Sequence, residues 1–170
     1  MSIAVFDNFL EEEKFKELQT LLLGGWFPWY FNDGIASVNT DNVYDYQFTH
    51  TFVRDGEVTS DWMPYIDCIF QKIKPKKVLR VKANLLTASK EIIESDFHTD
   101  VEDTITAKTA ILYINTNDGY TIFKDGTRIS SIENRFVVFD SNIMHKGTNC
   151  TNQKSRCVIN FNFIENTNEN

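Results

Sequence analysis

Two histidines and one aspartate in the second half of the chain have the residue types and spacing to bind a metal ion. His98 and Asp100 are two positions apart. On an extended segment their side chains therefore leave the same face, with β-carbons roughly 7 Å apart. His145 must reach the same place from another strand. Two imidazoles and one carboxylate suit Fe(II) and leave coordination positions open. These residues predict a non-haem iron site.

Arg156 adds a second chemical group to this prediction. The turn-forming segment 146–155 predicts a hairpin that brings Arg156 back alongside the strand of His145. A guanidinium group binds a carboxylate through two parallel hydrogen bonds. We therefore expect Arg156 to hold one end of a keto acid whose other end chelates the iron.

The order of these residues resembles the Fe(II)/2-oxoglutarate-dependent dioxygenases. Segments 119–123, 134–141 and 145–147 are similar to the prolyl-hydroxylase-like branch, in particular to its small members from phages and marine bacteria. The resemblance extends from about Val78 to Phe163. It implies an enzyme that uses Fe(II), 2-oxoglutarate and O₂, releases succinate and CO₂, and hydroxylates a substrate, and it favours a peptidyl substrate.

The same resemblance assigns further roles around 2-oxoglutarate. Arg156 is expected to bind its distal carboxylate, and Asn84 and Tyr113, on strands flanking the His98 motif, are expected to donate hydrogen bonds to it. Many prolyl-hydroxylase-like relatives have a tyrosine on the strand before His-x-Asp. Segment 84–89 has none, so this part of the pattern differs.

Two other classes of protein use similar ligands. A jelly-roll binding module with a vestigial metal site is expected to have lost a ligand, and none is lost here. A cupin-like metal-dependent hydrolase or isomerase uses the same facial ligands but needs no carboxylate anchor at Arg156. His50 lies in an aromatic segment and is interpreted as structural, because the metal triad is complete without it.

Alternating patterns predict the strands that position these residues. In segment 156–163, one face carries Arg156, Val158, Asn160 and Asn162, and the other carries Cys157, Ile159, Phe161 and Phe163. Segments 78–86 and 108–115 alternate in the same way. Short strands with turns at 117–119 and 124–126 are typical of a jelly roll. We predict a mainly β protein with flanking helices, folded as a cupin-like double-stranded β-helix.

Two amphipathic helices are expected to cover one face of this sheet. The first is expected to begin at a cap formed by Asp7 or Asn8 and to end at Gly24-Gly25, and the second to lie between a cap at Asp61 and Pro75. Residues 1–170 are therefore predicted to form a single dioxygenase domain. It would comprise N-terminal helices and an aromatic loop region (1–77), a jelly-roll core (78–164) and a polar tail (165–170).

The segment 26–52 is rich in aromatic residues and has two interpretations. It is either a β-hairpin that covers the core or a lid beside the iron, with turn formers at 32–34 and 39–42. A lid would close over the substrate and exclude water. We expect a lid to be more mobile than the strands that hold the metal.

Composition restricts the partners and the compartment. The net charge of −7 argues against nucleic acid, although a basic groove around Arg80, Lys82 and 74–77 is an alternative. The sequence has neither a signal peptide nor an apolar run that could span a membrane, so a cytoplasmic protein without membrane contact is expected. Its three cysteines lack CxxC spacing, which indicates reduced thiols. The substrate is expected to be a peptide or a small molecule.

Overall fold

The computed structural model describes residues 2–35, 43–101 and 106–166, and these residues form a mainly antiparallel β structure with two α-helices. The helices are α1 (Glu12–Leu23) and α2 (Asp67–Ile73), and a 3₁₀ turn, Met63–Ile66, precedes α2. The strands are β1 (Ala4–Phe6), β2 (Tyr30–Asp33), β3 (Tyr46–Arg54), β4 (Glu57–Val58), β5 (Lys77–Thr87), β6 (Lys108–Tyr113), β7 (Tyr120–Phe123), β8 (Arg128–Ser130), β9 (Phe136–Asp140), β10 (His145–Gly147) and β11 (Ser155–Ile164).

The strands form a large sheet and a small sheet. The large sheet has eight strands in the order β1-β9-β6-β11-β5-β3-β2, with β4 added to β3, and the small sheet has the order β10-β7-β8. Side chains from both sheets line one cavity. The predicted mainly β, jelly-roll fold with flanking helices is confirmed.

The alternation along β11 divides the core into two parts. Its apolar face packs under the helices, where the buried side chains include Phe15, Leu18, Leu22, Ile66, Ile69, Cys157, Ile159, Phe161 and Phe163. Its other face points to the space between the sheets, where Val158 joins Ile111, Tyr113, Phe123, Val137 and Phe139. Each fully buried large apolar side chain contributes roughly 1.5–3 kcal/mol. Burial of the apolar face of β11 under the helices therefore determines which face of the strand lines the cavity.

The predicted start of α1 was wrong. The helix begins at Glu12, and its N-cap residue Glu11 makes no side-chain capping hydrogen bond. Asp7 instead accepts hydrogen bonds from Arg135 at 2.6 and 3.0 Å, while Asn8 has a positive φ of 52°. A charge-assisted pair of bonds to arginine is stronger than a neutral cap bond, so Asp7 is used elsewhere. The helix ends before Gly24 as predicted.

The predicted cap of α2 was also wrong. The chain enters through the 3₁₀ turn, whose N-cap position is Trp62, and no side chain caps either helical segment. Asp61 is therefore not a cap. The helix ends at Ile73, and Lys74 adopts the left-handed conformation just before Pro75.

The segment 146–155 does not form the predicted hairpin. β10 pairs with β7 in the small sheet, whereas β11 pairs with β5 and β6 in the large sheet. The segment is a connection between sheets, and Asn149 fixes it by accepting a hydrogen bond from the Ile93 amide at 2.8 Å. Arg156 therefore reaches His145 across the gap between the sheets, not along one sheet.

The described part of segment 26–52 contains a β-hairpin, which is one of the two structures predicted for this segment. β2 pairs with β3 in antiparallel register, from Tyr30 opposite Thr49 to Asp33 opposite Tyr46. The predicted turn formers at 39–42 lie outside the described residues, as do residues 167–170 of the predicted polar tail. All three cysteines are free thiols. None of the helices in the described ranges has the length and apolar character needed to cross a lipid bilayer.

Candidate metal centre and active-site cavity

The structure brings His98, Asp100 and His145 together. His145 is the first residue of β10, and His98 pairs with it through two backbone hydrogen bonds of 3.0 Å each. The Asp100 amide donates to the Ser141 carbonyl at 3.3 Å, which continues this pairing. One donor atom from each of the three side chains lies within 4.8 Å of the others. This separation is small enough for all three to coordinate one ion.

Backbone carbonyls orient both imidazole rings for metal binding. His98 Nδ1 lies 3.0 Å from the Asp96 carbonyl oxygen, and His145 Nδ1 lies 3.0 Å from that of Ile143. A carbonyl oxygen only accepts hydrogen bonds, so each Nδ1 carries the proton and each Nε2 presents its lone pair. Metal-binding histidines in proteins are generally held in this way.

Two neighbours hold the Asp100 carboxylate. Arg80 Nη2 donates to Oδ1 at 2.9 Å, and the Thr109 hydroxyl donates to Oδ2 at 2.9 Å. His145 Nε2 lies 3.5 Å from Oδ2. The side chain of Asp100 is only 4% exposed. Its position is therefore fixed before any metal arrives.

The environment sets the protonation states of these ligands. Burial raises the pKa of Asp100, but His145, Arg80, His98 and the Thr109 hydrogen bond together bring this pKa below its usual value. Burial lowers the pKa of His145, and the nearby Asp100 charge opposes this effect only in part. At neutral pH Asp100 is ionised and His145 is neutral, which are the forms that bind a divalent metal.

A cavity of about 230 Å³ opens beside the triad. Alternate residues of β5 line it, as the two-residue period of a strand requires. Residues from β11 and from the small sheet complete the wall. The polar lining residues include Arg80, Lys82, Asn84, Thr121, Arg156 and Asn160.

Arg156 lies in this cavity, 3% exposed, opposite the small sheet. Its guanidinium donates to the Ser131 hydroxyl at 2.7 Å, the Thr121 hydroxyl at 3.1 Å and the Thr148 carbonyl at 3.2 Å. Within the described ranges no carboxylate pairs with it. Burial lowers the pKa of Arg156, so the buried charge is incompletely compensated.

The three hydrogen bonds use three of the five N–H groups of Arg156, one each on Nε, Nη1 and Nη2. A hydrogen-bonding contact with the Tyr113 hydroxyl raises the pKa of Arg156 but does not offset its burial. The guanidinium thus has neutral partners alone among the described residues, and such a charge favours an anionic ligand.

Tyr113 and Asn84 have different positions relative to the cavity. Tyr113 is fully buried beside Arg156, whose guanidinium carbon lies 5.5 Å from the ring centroid. The Tyr113 hydroxyl donates to Thr121 at 2.8 Å, so its visible role is to position Thr121 and Arg156. Asn84 lines the cavity, 6% exposed, and its buried Oδ1 accepts no hydrogen bond from the described residues.

Arg80, Lys82 and Asn160 line the cavity but were not among the predicted site residues. The sequence leaves a basic groove around Arg80 and Lys82 open as an alternative, and in the structure both residues line the cavity between the sheets. The alternation along β5 could have identified Arg80 and Lys82. Both share the face of Asn84, and the intervening apolar residues are on the opposite face.

The lid hypothesis finds limited structural support. From the described part of segment 26–52, Ile35 and Gln47 line the cavity, and no described aromatic residue of the segment does so. Tyr46 and Tyr44 line a smaller neighbouring depression, and the Tyr46 hydroxyl lies 2.9 Å from that of Thr87. The relative mobility of the segment stays a prediction.

No protein-family model matches the sequence, and no curated protein sequence matches it. Solved structures do match. A prolyl hydroxylase from Trichoplax adhaerens, in complex with a hypoxia inducible factor oxygen degradation domain peptide fragment, gives a TM-score of 0.67 at 15% identity, covering 96% of this chain and 83% of that one.

Two further structures agree with this similarity. The non-heme alpha ketoglutarate dependent epimerase SnoN from nogalamycin biosynthesis gives a TM-score of 0.68 at 11% identity over 96% of this chain and 78% of that one. An oxidoreductase of the 2OG-Fe(II) oxygenase family from Burkholderia pseudomallei gives 0.66 at 7% identity over 95% and 84%. The chain therefore has the fold of the 2OG-Fe(II) oxygenases. The resemblance to the prolyl-hydroxylase-like branch is confirmed at the level of fold.

Proposed function

We propose that this protein is an Fe(II)- and 2-oxoglutarate-dependent oxygenase that hydroxylates its substrate. The observation that carries the proposal is the combination, in one cavity, of a convergent His-Asp-His triad and a buried arginine that has no carboxylate partner among the described residues. A metal-dependent hydrolase needs the first feature but not the second. The fold shared with the 2OG-Fe(II) oxygenases supports the same conclusion.

The triad has the donor set and protonation states that Fe(II) requires. His98 and His145 would coordinate through Nε2, since each Nδ1 proton is engaged by a carbonyl. Asp100 would supply the anionic ligand, with Arg80 and Thr109 keeping its oxygens oriented. Two imidazoles and one carboxylate leave open positions for a chelating cosubstrate and O₂.

Arg156 would bind the distal carboxylate of 2-oxoglutarate. The low exposure of Arg156 strengthens its interaction with an anion, because little water competes. Tyr113 would act indirectly, by holding Thr121 against Arg156. Asn84 would donate its amide N–H to the cosubstrate from the neighbouring strand.

Bound Fe(II) and 2-oxoglutarate supply the oxidising chemistry. Held by these residues, the pair would supply the oxidation of 2-oxoglutarate by O₂ to succinate and CO₂, with one oxygen atom going to succinate and the other to a substrate C–H bond as a hydroxyl group. The protein would contribute the orientation of the reacting groups. Val158 and Ile111 provide apolar wall next to the polar lining. The substrate class we propose is a peptide or a small molecule.

An anaerobic binding experiment tests the proposal. Adding 2-oxoglutarate to the Fe(II)-loaded protein without oxygen should produce a visible absorption band that saturates. Replacing His98 or His145 with Ala should remove both iron binding and the band. A protein that binds Fe(II) at the triad yet gives no band and no succinate would support the cupin-like alternative instead.

The Arg156→Lys variant tests 2-oxoglutarate binding separately from iron binding. Lysine keeps the positive charge but lacks the planar pair of donors, so we expect iron affinity to persist and 2-oxoglutarate affinity to fall about tenfold or more. The exposed Arg54→Lys variant is the matched control. If Arg156→Lys binds 2-oxoglutarate as tightly as the unaltered protein, another residue anchors the acid.

A further inference from the structure

The cavity contains a second cationic side chain that the proposed chemistry does not use. Lys82 lies on β5 with its side chain among the lining residues. It forms no hydrogen bond or ion pair with any side chain in the described ranges, whereas its neighbour Arg80 is paired with Asp100. Burial lowers the pKa of Lys82, Arg80 lowers it further, and Asp100 opposes this. Leaving a partly buried ammonium without a partner is costly.

Two amide oxygens without donors lie on the same wall. Asn160 of β11 is directly opposite Lys82 of β5 in the strand register, and Asn84 is two residues along from Lys82 on the same face. The Oδ1 atoms of both asparagines are buried and accept no hydrogen bond from the described residues. Asn84 is only 6% exposed. The wall therefore presents one unpaired cation next to two unpaired acceptors.

Lys82 and Asn160 are separate from the arginine that would bind the cosubstrate, whereas Asn84, opposite Val158, lies between them and Arg156. Asn160 is four positions along β11 from Arg156, which corresponds to about 13 Å along a strand. Arg156 faces Leu86 in the register, whereas Asn160 faces Lys82. The Lys82 group lies toward the end of β5 that carries Arg80, whose partner is the metal-ligand candidate Asp100. It is thus placed beside the metal site and away from the Arg156 end.

We propose that Lys82, Asn160 and Asn84 form a binding site for the primary substrate, and that this site recognises a carboxylate next to an N–H donor. Such a pair of groups occurs in a free amino acid and at the C-terminal residue of a peptide. This inference rests on the proposed function, since it assigns the substrate of the same cavity. It narrows that substrate to molecules ending in an α-amino carboxylate.

The chemistry of the three side chains dictates this class. Lys82 carries only donors and requires an anionic acceptor. The asparagine oxygens require donors, and 2-oxoglutarate, which has none when fully ionised, cannot satisfy them. Asn84 can nevertheless serve both ligands, because its NH₂ group donates to the cosubstrate while its oxygen accepts from the substrate. The cavity, at about 230 Å³, is below the roughly 300 Å³ at which typical ligand pockets begin, which favours recognition of a small terminal group.

Calorimetric titration provides a readout that does not depend on turnover. The protein is loaded with Zn(II) and 2-oxoglutarate, and three sets of probes are titrated in: free amino acids, N-acetylated tripeptides with a free C-terminal carboxylate, and the same tripeptides as C-terminal amides. We expect at least one carboxylate probe to bind about tenfold or more tightly than its amide, the size of one charge-assisted hydrogen bond. Binding by free amino acids or by tripeptides identifies the source of the carboxylate.

Matched variants assign this preference to Lys82. Lys82→Met should lower the affinity for the carboxylate probe about tenfold or more, and should reduce the difference between acid and amide to less than threefold. Lys77→Met removes the same charge from the exposed end of the same strand and should leave the preference intact. Asn160→Leu should weaken the probes that carry an N–H next to the carboxylate.

The outcomes distinguish this inference from the proposed function. If 2-oxoglutarate itself fails to bind, the proposed function fails. If 2-oxoglutarate binds but no carboxylate probe is preferred to its amide in the unaltered protein, the substrate assignment alone is overturned, whatever the variants do. If Lys82→Met weakens 2-oxoglutarate as much as the probe, Lys82 serves the cosubstrate and the assignment is also overturned.

Discussion

Asp100 is held between two fixed donors, with Arg80 on one oxygen and Thr109 on the other. Thr109 in turn accepts a hydrogen bond from Asn162 at 3.0 Å, and Asn162 accepts one from Arg80 at 2.9 Å. These four side chains form a closed set of contacts around one candidate ligand. The metal affinity of the site should therefore depend on residues that do not touch the metal.

Arg80→Met should weaken metal binding. The substitution removes the donor to Asp100 and a charge that lowers the pKa of its carboxyl group. Loss of such an outer partner typically costs about 10–100-fold in metal affinity. Competition with a chromophoric chelator measures this for Zn(II), with Arg54→Met as the control. Equal Zn(II) affinities in Arg80→Met and the control would show that Asp100 does not need Arg80 in order to bind metal.

The residue types were enough to predict the metal-ligand candidates and Arg156, but not the side chains that hold them in position. The combination of two histidines, an aspartate and an arginine at these spacings is uncommon, so their chemistry indicates that they share one site. The bond between Arg80 and Asp100 joins positions 20 residues apart. It depends on how segment 98–100 packs across β5, and no local pattern in the sequence encodes that packing.

At the scale of secondary structure, the turn before β7 allows Arg156 to reach its position. A Cβ atom added at Gly119 would overlap the Asn149 carbonyl oxygen and would lie 2.7 Å from Arg156 Cδ and 2.8 Å from Asn117 Oδ1. Side chains do not tolerate contacts this short, so only glycine lets the turn approach Asn149 and Arg156 this closely. The turn predicted at 117–119 therefore packs directly against Arg156.

Gly119→Ala should displace Arg156 and weaken 2-oxoglutarate binding. We expect at least a fivefold loss of affinity, equivalent to about 1 kcal/mol, which is the lower limit for overpacking a tight contact. The band formed with Fe(II) measures the affinity. Gly25→Ala is the control, because a Cβ there meets nothing within 4 Å. If the folded variant binds 2-oxoglutarate with unchanged affinity, the turn accommodates the added Cβ atom without moving Arg156.

His50 supports the β2–β3 hairpin in its neutral form. Its Nδ1–H donates to the Pro28 carbonyl at 2.8 Å, so its Nε2 accepts from the Ser60 hydroxyl at 2.7 Å. Burial lowers the pKa of His50, although the Pro28 hydrogen bond opposes this. The contacts agree with the structural role predicted from sequence.

The pH dependence of stability should reflect this histidine. Its pKa is lower in the folded than in the unfolded protein, so its contribution is present above the unfolded value of about 6.5 and is lost as pH falls through the folded value. His145 acts in the same direction. Denaturant unfolding between pH 5 and 7.5 should therefore show a weaker pH dependence in His50→Gln than in the unaltered protein. Parallel curves for the two proteins would contradict this origin.

Strand positions were more predictable than sheet membership. The two-residue alternation is local, and the predicted strand 156–163 lies within β11. The choice of partner is not local. The segment 146–155 has the composition of a hairpin turn, yet it connects two sheets because β11 gains more by pairing with β5 and β6 along most of its length.

At the scale of the whole molecule, the candidate metal centre joins the two sheets. His145 comes from the small sheet, whereas His98 and Asp100 come from the connection between β5 and β6 of the large sheet. Before metal binds, the isolated His98–His145 backbone pair and the Asp100–Ser141 hydrogen bond link this connection to the small-sheet side. A bound ion adds three coordinate bonds across the same junction.

Metal binding should therefore raise the thermal stability of the protein. A ligand that binds only the folded state adds about 2.7 kcal/mol at 100 times its Kd. Each kcal/mol shifts Tm by about 2–4 °C in a chain of this size, so Zn(II) at that excess should raise Tm by about 5–10 °C. Differential scanning calorimetry with Zn(II) and then with EDTA measures the rise and its reversal. Hydrogen exchange should slow most in β7, β8 and β10, which the ion ties to the large sheet.

His145→Ala supplies the control for this prediction. It removes one ligand while His50 and the three free cysteines, Cys68, Cys150 and Cys157, stay in place as other candidate Zn(II) ligands. In this variant Tm should not respond to Zn(II), because two remaining ligands hold the ion too weakly. An equal rise in the variant would mean that the ion binds elsewhere in the chain. No rise in the unaltered protein would mean that the three convergent side chains do not bind metal.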